Sequence, residues 1–418
     1  MFSNLGLNKI QSKDSNYRIQ KALFVLFFIT IYIKENFNSA ALILLTSYMI
    51  ISQWKSVKQI KISKYNILFF ILFLLSLLSI LYSVNIQMAF KVLIRYLPLI
   101  LFPIIVSLIS KKILREIISY FILITVGATV ICLIYALYRY VDIGNWKLMN
   151  EYGLYYSIFS GHEFSKVLGI HASYFSVNIL ISIGFLYEKF NQVSQINLKE
   201  KRNYILLILY LSICVYLLNS FAILMALLIV AMLILAMRLK RHRTAILVLL
   251  CLGGSIMFYT KFKKRLNIDS FSIPIETTAR EGKWNNFNTR VAKWSGALGV
   301  INENPVLGVG IGDSKDELMK SYLDNGFNFG YESKFNEHNQ FFGVWMQSGI
   351  LALLTYIIIV LSPIIIGFKN KHIPMITFGI TYAFFSIGES FLIRQRGIVV
   401  FALFYVIIFS FYKYKDKC

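Results

Sequence analysis

The sequence is poor in charge, in proline and in cysteine. Charged residues make up 15% of its 418 residues, and it has six prolines and four cysteines. Cys132, Cys214 and Cys251 lie in long apolar runs and Cys418 is the last residue. This placement gives neither a disulfide framework nor a CxxC metal spacing. A soluble domain of this size carries far more charge, so the composition argues against a soluble enzyme.

The sequence is instead rich in long apolar runs. The hydrophobic content is 57% and the mean hydropathy is +0.64. Runs of roughly 17–25 residues are long enough to cross a hydrocarbon core, and about twelve occur. They lie near 19–34, 39–54, 65–83, 88–110, 116–138, 167–187, 204–219, 221–238, 244–260, 341–366, 373–389 and 397–412. The sequence therefore predicts an all-α polytopic membrane protein with about twelve transmembrane helices.

The net charge of +23 follows the loops rather than one binding face. Placing the N-terminus in the cytoplasm and alternating sides puts most of the basic residues in cytoplasmic connections, as the positive-inside rule requires. These include Lys55, Lys58, Lys61, Lys64, Lys111, Lys112, Arg115, Lys199, Lys201, Arg202, Arg238, Lys240, Arg241, Arg243, Lys369 and Lys371. The basic excess is thus topogenic, and it argues against nucleic-acid binding.

The same alternation fixes the domain organisation. Both termini are cytoplasmic, and one long polar stretch lies on the outer face. We expect one integral membrane domain, with spans one to nine in residues 1–260, a long outer loop at 261–340 and spans ten to twelve in 341–418. Only that loop offers a large water-facing surface, so functional residues are expected there.

The loop begins with an amphipathic helix, predicted over 280–303. Apolar residues recur there at three- and four-residue steps, and Pro305 follows the end of the helix. Arg290 flanks the apolar stripe, whereas Lys293 lies well away from it. An arginine at that edge either turns its guanidinium toward a cleft or remains a surface residue with a packed stem.

A glycine-rich run follows, Gly308-Val309-Gly310-Ile311-Gly312-Asp313. Its spacing is not that of a dinucleotide fingerprint, and it predicts a turn packed against the membrane domain. The residues Ser314 to Glu317 fit a capping box, so a short helix is predicted over 314–325.

The loop ends at His338, between Glu337 and Asn339. A lone histidine is more often structural than catalytic, but this one lies at the membrane boundary on the expected first turn of the next span. A helix N-terminus disfavours imidazolium and favours a neutral ring that accepts protons.

Other candidates lie outside the loop. His162, Glu163 and His171 lack the spacing of a helical metal site. Lys91 and Arg95 are one turn apart at the outer mouth of the fourth span, where charges usually face a cavity or the interface. A further outer cluster, in which a salt bridge is the simplest expectation, comprises Glu389, Arg394 and Arg396.

Several motifs together resemble the O-antigen ligase and O-antigen polymerase superfamily. They are Arg290-x-x-x-Trp294, Asn304-Pro305-Val306-Leu307-Gly308-Val309-Gly310-Ile311-Gly312-Asp313, Glu337-His338-Asn339-Gln340-Phe341 and Gly349-Ile350-Leu351-Ala352-Leu353-Leu354. His171-Ala172-Ser173-Tyr174-Phe175, Glu389-Ser390-Phe391-Leu392 and Gln395-Arg396-Gly397 resemble pieces of ligase-like members. The similarity covers most of the chain and is most specific in 284–354.

The resemblance implies a glycosyltransferase of the bacterial inner membrane, similar in architecture to GT-C enzymes, with a periplasmic active site. The donor would be a glycan on undecaprenyl diphosphate, and the acceptor a hydroxyl of lipid A-core, another glycan or a protein. The resemblance to ligase-type members implies a reaction that needs no metal, no cofactor and no nucleotide sugar.

The resemblance also assigns roles. Arg290 matches the family's loop arginine and His338 its loop histidine, which would accept the proton of the acceptor or orient its hydroxyl. Cations expected at the diphosphate are Lys91, Arg95, Arg139 and Arg396. Supporting residues are Trp294, Glu337, Asn339 and His171.

One departure and two alternatives stay open. Many relatives carry Ser-Arg or Ser-Lys where this chain reads Ser220-Phe221, so another cation has to replace that one.

A polymerase of the same superfamily is the first alternative, and a knockout that leaves single repeats on the acceptor would indicate it. A polysaccharide transporter or flippase is the second. It is disfavoured because neither an internal repeat nor a run of mid-span charges is present.

Overall fold

The regular structure of the described residues is helical. The computed structural model describes residues 3–57, 63–143, 158–194, 196–238 and 286–412, and no β-strand occurs in this part of the chain. The α-helices are α1 (Ser3–Ile31), α2 (Glu35–Ser52), α3 (Trp54–Val57), α4 (Lys64–Leu78), α5 (Ile86–Tyr96), α6 (Pro98–Ser107), α7 (Lys111–Ile143), α8 (Gly161–Ser165), α9 (Ala172–Gln192), α10 (Leu198–Leu218), α11 (Phe221–Arg238), α12 (Asn286–Glu303), α13 (Ser314–Asp324), α14 (Asn328–Glu332), α15 (Gln340–Lys369), α16 (Ile373–Gly388) and α17 (Gln395–Tyr412). The predicted all-α class is confirmed for these residues.

Six helical stretches of the described chain are long and apolar enough to cross a bilayer. They are Lys64–Tyr82, Ile86–Ser107, Lys111–Val141, Leu198–Leu218, Phe221–Arg238 and Gln340–Lys369. The pair Gly161–Leu168 and Ala172–Gln192, bent by 82°, makes a seventh if it is one span. The chain is therefore a multi-pass membrane protein.

The expected count of about twelve spans is not reached by these stretches. Helices α1 and α2 occupy the first two expected positions, but Arg18 and Lys21 interrupt the apolar part of α1 and α2 starts with polar residues. Helices α16 and α17 are apolar but shorter than the other spans. The expected ninth span, 244–260, lies outside the described residues, as do Trp284 and the start of the predicted 280–303 helix.

Connections predicted on the outer side meet at one end of the helix bundle. The Arg396 guanidinium, at the start of α17, donates to the carbonyl oxygens of Gly169 at 2.7 Å and Ile33 at 2.5 Å. Basic side chains such as Lys21, which pairs with Glu116 at 2.7 Å, lie toward the other end. This is the arrangement that alternating spans require.

Residues 286–339 pack around a small second hydrophobic core, which also includes Met346 of α15. Ala297, Val300 and Ile301 of α12 pack with Leu318 and Tyr322 of α13. The two helices cross closely at Gly296, where a Cβ would lie 2.5 Å from the Tyr322 ring. The segment is therefore a folded cap on the membrane helices, and it positions residues at both of its ends.

The glycine run packs against the membrane helices, as predicted. The backbone amides of Ile311 and Gly312 donate to the hydroxyls of Ser79 and Ser83, both at 3.2 Å. A Cβ at Gly312 would clash with the backbone ahead of α5. Glycine is needed here because the two backbones approach so closely.

The predicted capping box is wrong, because Asp313 rather than Ser314 occupies the N-cap of α13. The Asp313 carboxylate is committed elsewhere. It accepts the backbone amides of Val84 at 2.6 Å and Asn85 at 2.7 Å, so it joins the turn to the N-terminus of α5.

Helix α15 is broken at Gly349, whose φ of 77° and ψ of −173° are not helical. The break is filled by the chain that follows α12. The Val306 carbonyl accepts the Ile350 amide at 3.1 Å, and the Val309 amide donates to Met346 O at 2.8 Å. A side chain at Gly349 would overlap the Val306 carbonyl, so only glycine fits there.

Candidate active site

A cavity of about 620 Å³ lies between the membrane helices and the 286–339 segment. Its lining comes from helix α5, from the start of α13, from the 333–338 stretch, and from Ile393 and Arg394. His338 lines this cavity. The cavity therefore joins the predicted catalytic histidine to the outer mouth of the fourth expected span.

The cavity is strongly basic. Five cationic side chains line it, against two carboxylates, Glu35 and Glu337. The five are Lys91, Arg95, Lys315, Lys334 and Arg394. None of them has an ion-pair partner among the described residues. Such a cluster attracts anions, because low-dielectric walls focus the field of charges of one sign.

Two anchors hold His338 in place. Asn339 is the N-cap of α15, and its side chain accepts the amides of Phe341 at 3.0 Å and Phe342 at 3.3 Å. His338 therefore precedes the cap, and the expectation that it lies on the first helical turn is wrong. Its φ of 47° is left-handed, a conformation that costs energy in a non-glycine residue and is tolerated where the surroundings fix it.

Glu337 is the second anchor. Its buried carboxylate accepts the Ser390 hydroxyl at 2.6 Å, and the missing side chain at Gly343 leaves room for it. Burial raises the pKa of Glu337, against the opposing effects of Ser390, His338 and Lys293. Gln340 continues the contact, because its Oε1 accepts the Leu392 amide at 2.7 Å. The 337–340 turn is thus joined to the chain that leaves α16.

This pairing brings His338 to Glu389, the C-cap of α16. The His338 Nδ1 lies 3.5 Å from Glu389 Oε2, and the Glu389 side chain is only 15% exposed. Burial alone would raise the pKa of Glu389, but the hydrogen bond and charge of His338 and the charge of Arg290 outweigh it, and the pKa is lowered. Glu389 is therefore ionised at neutral pH, and the side chain that its carboxylate meets is His338 rather than the predicted Arg394 or Arg396.

Arg290 of α12 lies near the same carboxylate, and its charge contributes to the lowered pKa of Glu389. Its guanidinium covers Gly388, where a Cβ would be 3.4 Å from Nη1 and 3.9 Å from the Cβ of Ala222. Ala222 follows Phe221, the position at which the resemblance described above implies a cation that this chain lacks. Among the described residues Arg290 has no hydrogen-bond partner, and its guanidinium can donate up to five hydrogen bonds.

Lys293 is buried, contrary to its predicted place away from the apolar stripe. Its side chain is 6% exposed, and its Nζ lies 3.8 Å from the centre of the Phe335 ring. Burial and the charge of Arg290 lower the pKa of Lys293 to about 8. The helical wheel missed this because Phe335, which covers the lysine, is distant in sequence.

Two of the predicted diphosphate residues lie away from the cavity. Arg139 pairs with Glu163 at 2.5 Å, and Arg396 holds the Gly169 and Ile33 carbonyls. Lys91 and Arg95, by contrast, both line the cavity. The structure brings together the pair from α5 and separates the other two.

The remaining predicted residues support their surroundings. Trp294 packs edge-on against Phe342, with 6.2 Å between ring centres, and so fixes α12 on α15. His171 is the N-cap of α9 and accepts the Ser173 amide at 3.3 Å. Desolvation, and then the nearby His162, His338 and Arg394, lower the pKa of His171 to about 4, although Glu389 opposes this. His171 is therefore neutral at pH 7.

Metal-ligating side chains do not converge in the described part of the chain. The rings of His162 and His171 are in contact, with centres 4.1 Å apart. Glu163, the third residue considered, is instead paired with Arg139 and Lys166.

Fold and site together define a multi-pass membrane protein with a basic cavity and a histidine–carboxylate pair at its wall. Residues 206–357 match the family model described as O-antigen ligase, a range that includes Arg290, His338 and Gly349. The superfamily indicated by the motifs is confirmed by this match, which supports an O-antigen ligase or polymerase. The curated proteins contain no match to the chain.

Three residues at the site had little or no signal in the sequence. Glu389 belongs to a quoted motif, but its partner was not predictable because the two residues are far apart in the chain. Lys315 and Lys334 read as ordinary loop lysines, and only the folded segment shows that they line the cavity.

Proposed function

We propose that this protein is a glycosyltransferase of the bacterial inner membrane. It transfers a glycan from undecaprenyl diphosphate to a hydroxyl of lipid A-core or of another acceptor, on the periplasmic face. The observation that carries the proposal is the His338–Glu389 pair at the wall of a basic cavity, of which His338 lies within the O-antigen ligase match.

In the proposed reaction the acceptor hydroxyl attacks the anomeric carbon of the glycan. A new carbon–oxygen bond forms, the bond to the diphosphate oxygen breaks, and undecaprenyl diphosphate leaves with the electron pair. His338 accepts the hydroxyl proton at Nε2, the ring nitrogen that Glu389 does not engage. A positioned general base typically contributes about 10²–10⁴-fold to the rate.

Glu389 acts through His338 in this proposal. An ionised carboxylate at Nδ1 orients the ring and stabilises the imidazolium that forms when the proton is taken. It is a positioning residue, because it reaches the reacting atoms only through the imidazole.

The leaving group requires cations, because charge develops on the diphosphate as the bond breaks. Lys91, Arg95 and Arg394 are proposed to hold it, and Arg139 and Arg396 are left out because they are committed elsewhere. Arg290 is proposed to supply the charge missing at Phe221, since its guanidinium lies beside Ala222 at the start of α11. A planar guanidinium can pair two phosphate oxygens at once.

The side of the membrane follows from charge placement. The end of the bundle that carries the cavity has few basic residues in its short connections, and the other end has many. By the positive-inside rule the cavity end is periplasmic and both termini are cytoplasmic.

The test uses purified protein, labelled undecaprenyl-diphosphate glycan and lipid A-core. Wild type is expected to transfer label. The transfer activity of Arg290→Ala and of His338→Ala is expected to be lower by about 10²-fold or more, while both proteins remain folded and inserted. Lys320→Gln, on α13 and away from the cavity, is the control and is expected to keep full activity. Full activity in both alanine variants would refute the site.

Two further measurements refine the reaction. His338→Asn keeps a hydrogen-bonding group but no base, so near-complete loss indicates proton transfer and residual activity indicates orientation. EDTA is expected to leave the rate unchanged, whereas inhibition reversed by added metal would contradict the proposed metal independence.

The O-antigen ligase match also fits a polymerase, and product analysis separates the two activities. A ligase moves finished polymer onto the acceptor, so its loss leaves polymer on the lipid carrier. A polymerase extends the chain on the carrier, so its loss leaves single repeats on the acceptor.

A further inference from the structure

The cations that line the cavity come from two parts of the structure, which we call the membrane-side wall and the outer wall. Lys91 and Arg95 lie on α5, in a candidate membrane span, and Arg394 lies just before α17. Lys315 and Lys334 belong to the 286–339 segment, which covers the membrane helices. A lipid-linked diphosphate sits at the membrane interface, so the first wall is the one within its reach.

The charge in the cavity exceeds what that diphosphate neutralises. Three positive charges remain when both lining carboxylates are ionised, and burial raises the pKa of Glu337, which favours its neutral form. A diphosphate esterified at both ends carries about two negative charges. At least one positive charge of the cavity is therefore left over when the diphosphate is bound.

Exposed lysines are common on any surface, so Lys320 provides the comparison. It lies on the same helix as Lys315 but outside the cavity, and it is paired with Glu317 at 3.8 Å. Lys315 and Lys334 have no such partner among the described residues, and both face the same cavity as the α5 cations. A charge that lines a cavity without a partner is placed to bind an anion.

We infer that Lys315 and Lys334 form a second anionic subsite, which binds a carboxylate or phosphate group on the sugar portion of a substrate. The inference rests on the proposed function, and it assigns an anionic character to the acceptor or to the transferred glycan.

The binding test uses the full-length protein in detergent. Geranyl diphosphate probes the membrane-side wall. Glucose 6-phosphate, added with geranyl diphosphate at saturation, probes the second subsite, and glucose is the neutral control. Affinities are compared for wild type, Lys315→Gln/Lys334→Gln, Lys91→Gln/Arg95→Gln and Lys320→Gln.

We expect glucose 6-phosphate to bind wild type more tightly than glucose. In Lys315→Gln/Lys334→Gln, the affinity for glucose 6-phosphate should fall about tenfold. The affinity for geranyl diphosphate should change by less than about twofold. Lys91→Gln/Arg95→Gln should show the opposite pattern, and Lys320→Gln should match wild type.

Two outcomes overturn the inference. In one, the Lys315/Lys334 variant loses as much affinity for geranyl diphosphate as the Lys91/Arg95 variant does. That result would show that all the cations form a single site. In the other, wild type binds glucose 6-phosphate no better than glucose when geranyl diphosphate is bound.

Transfer kinetics then identify the substrate that carries the anion. With Lys315→Gln/Lys334→Gln, a raised KM for the acceptor alone assigns it to the acceptor, and a raised KM for the donor alone assigns it to the glycan. The binding result stands apart from the proposed function. Selective anion binding without any transfer refutes the glycosyltransferase, and transfer without selectivity between the walls refutes only the subsite.

Discussion

At the scale of single residues, the outer two residues of the Glu337-His338-Asn339 motif have structural roles and the middle one has a chemical role. Glu337 and Asn339 fix the turn, through Ser390 and through the first amides of α15. His338, between them, is left with a left-handed backbone and an imidazole beside Glu389. The flanking residues therefore hold the ring, which is the group with chemistry to perform.

Replacing Glu389 with glutamine should lower kcat without changing donor binding. The amide keeps the size of the side chain but removes the charge that stabilises imidazolium, so kcat should fall about tenfold or more and the donor KM should stay within about twofold. Steady-state transfer kinetics measure both. Glu389→Asp, which restores the charge, should recover part of kcat. A change in donor KM alone would contradict the positioning role.

Lys293 makes stability depend on pH. Its pKa in the folded protein is about 8, below the ordinary value of 10.5, so the folded state binds fewer protons than the unfolded state between these values. Stability should therefore rise with pH over that interval, by about 3 kcal/mol in total at the ordinary conversion. Lys293→Met should lose this rise and be no less stable than wild type at pH 7.

Thermal unfolding in detergent at pH 7 and pH 9.5 measures the difference. The wild-type Tm should increase relative to that of Lys293→Met on going to the higher pH. Equal shifts in both proteins would show that Lys293 keeps its ordinary pKa.

At the scale of elements, the break in α15 is the contact that joins the 286–339 segment to the membrane helices. Gly349→Ala should be strongly destabilising, because it places a side chain against Val306 and forces a left-handed backbone on a non-glycine residue. A cost of about 3 kcal/mol or more is expected from the combination.

Gly127→Ala is the matched control, since a Cβ at Gly127 of α7 meets no atom within 4 Å. In mid-helix this change should be neutral or stabilising by up to about 1 kcal/mol. Thermal unfolding and transfer activity are the measurements. An unaffected Gly349→Ala protein would show that the break does not hold the segment.

The sequence predicts elements better than it predicts their contacts. The short helix at 314–325 and the packed glycine run were foreseeable, because helix-start residues and glycine spacing are local signals, although the N-cap proved to be Asp313 rather than Ser314. The partners of Asp313, His338 and Lys293 were not foreseeable, since Asn85, Glu389 and Phe335 approach them only in the folded chain. Arg139 and Arg396 were misleading, because a cation at the outer face serves equally well as a structural bridge.

At the scale of the whole molecule, alternating spans and charge placement make one prediction about sidedness. With the native cysteines replaced by alanine, Asn325→Cys should react with a membrane-impermeant maleimide in cells whose outer membrane alone is permeable. Lys199→Cys should react only after the inner membrane is opened. Labelling of the two positions in the reverse order would invert the topology and exclude a periplasmic site.

The glycine run also bears on how such a protein can diversify. The spacing between the α5 cations and His338 is set by contacts among residues 79–89, 306–313 and 346–350. Insertions or deletions within these three stretches should therefore move the α5 cations relative to His338 and abolish transfer. Variation among proteins that keep this chemistry is accordingly expected outside the three stretches, where a change in length does not alter that spacing.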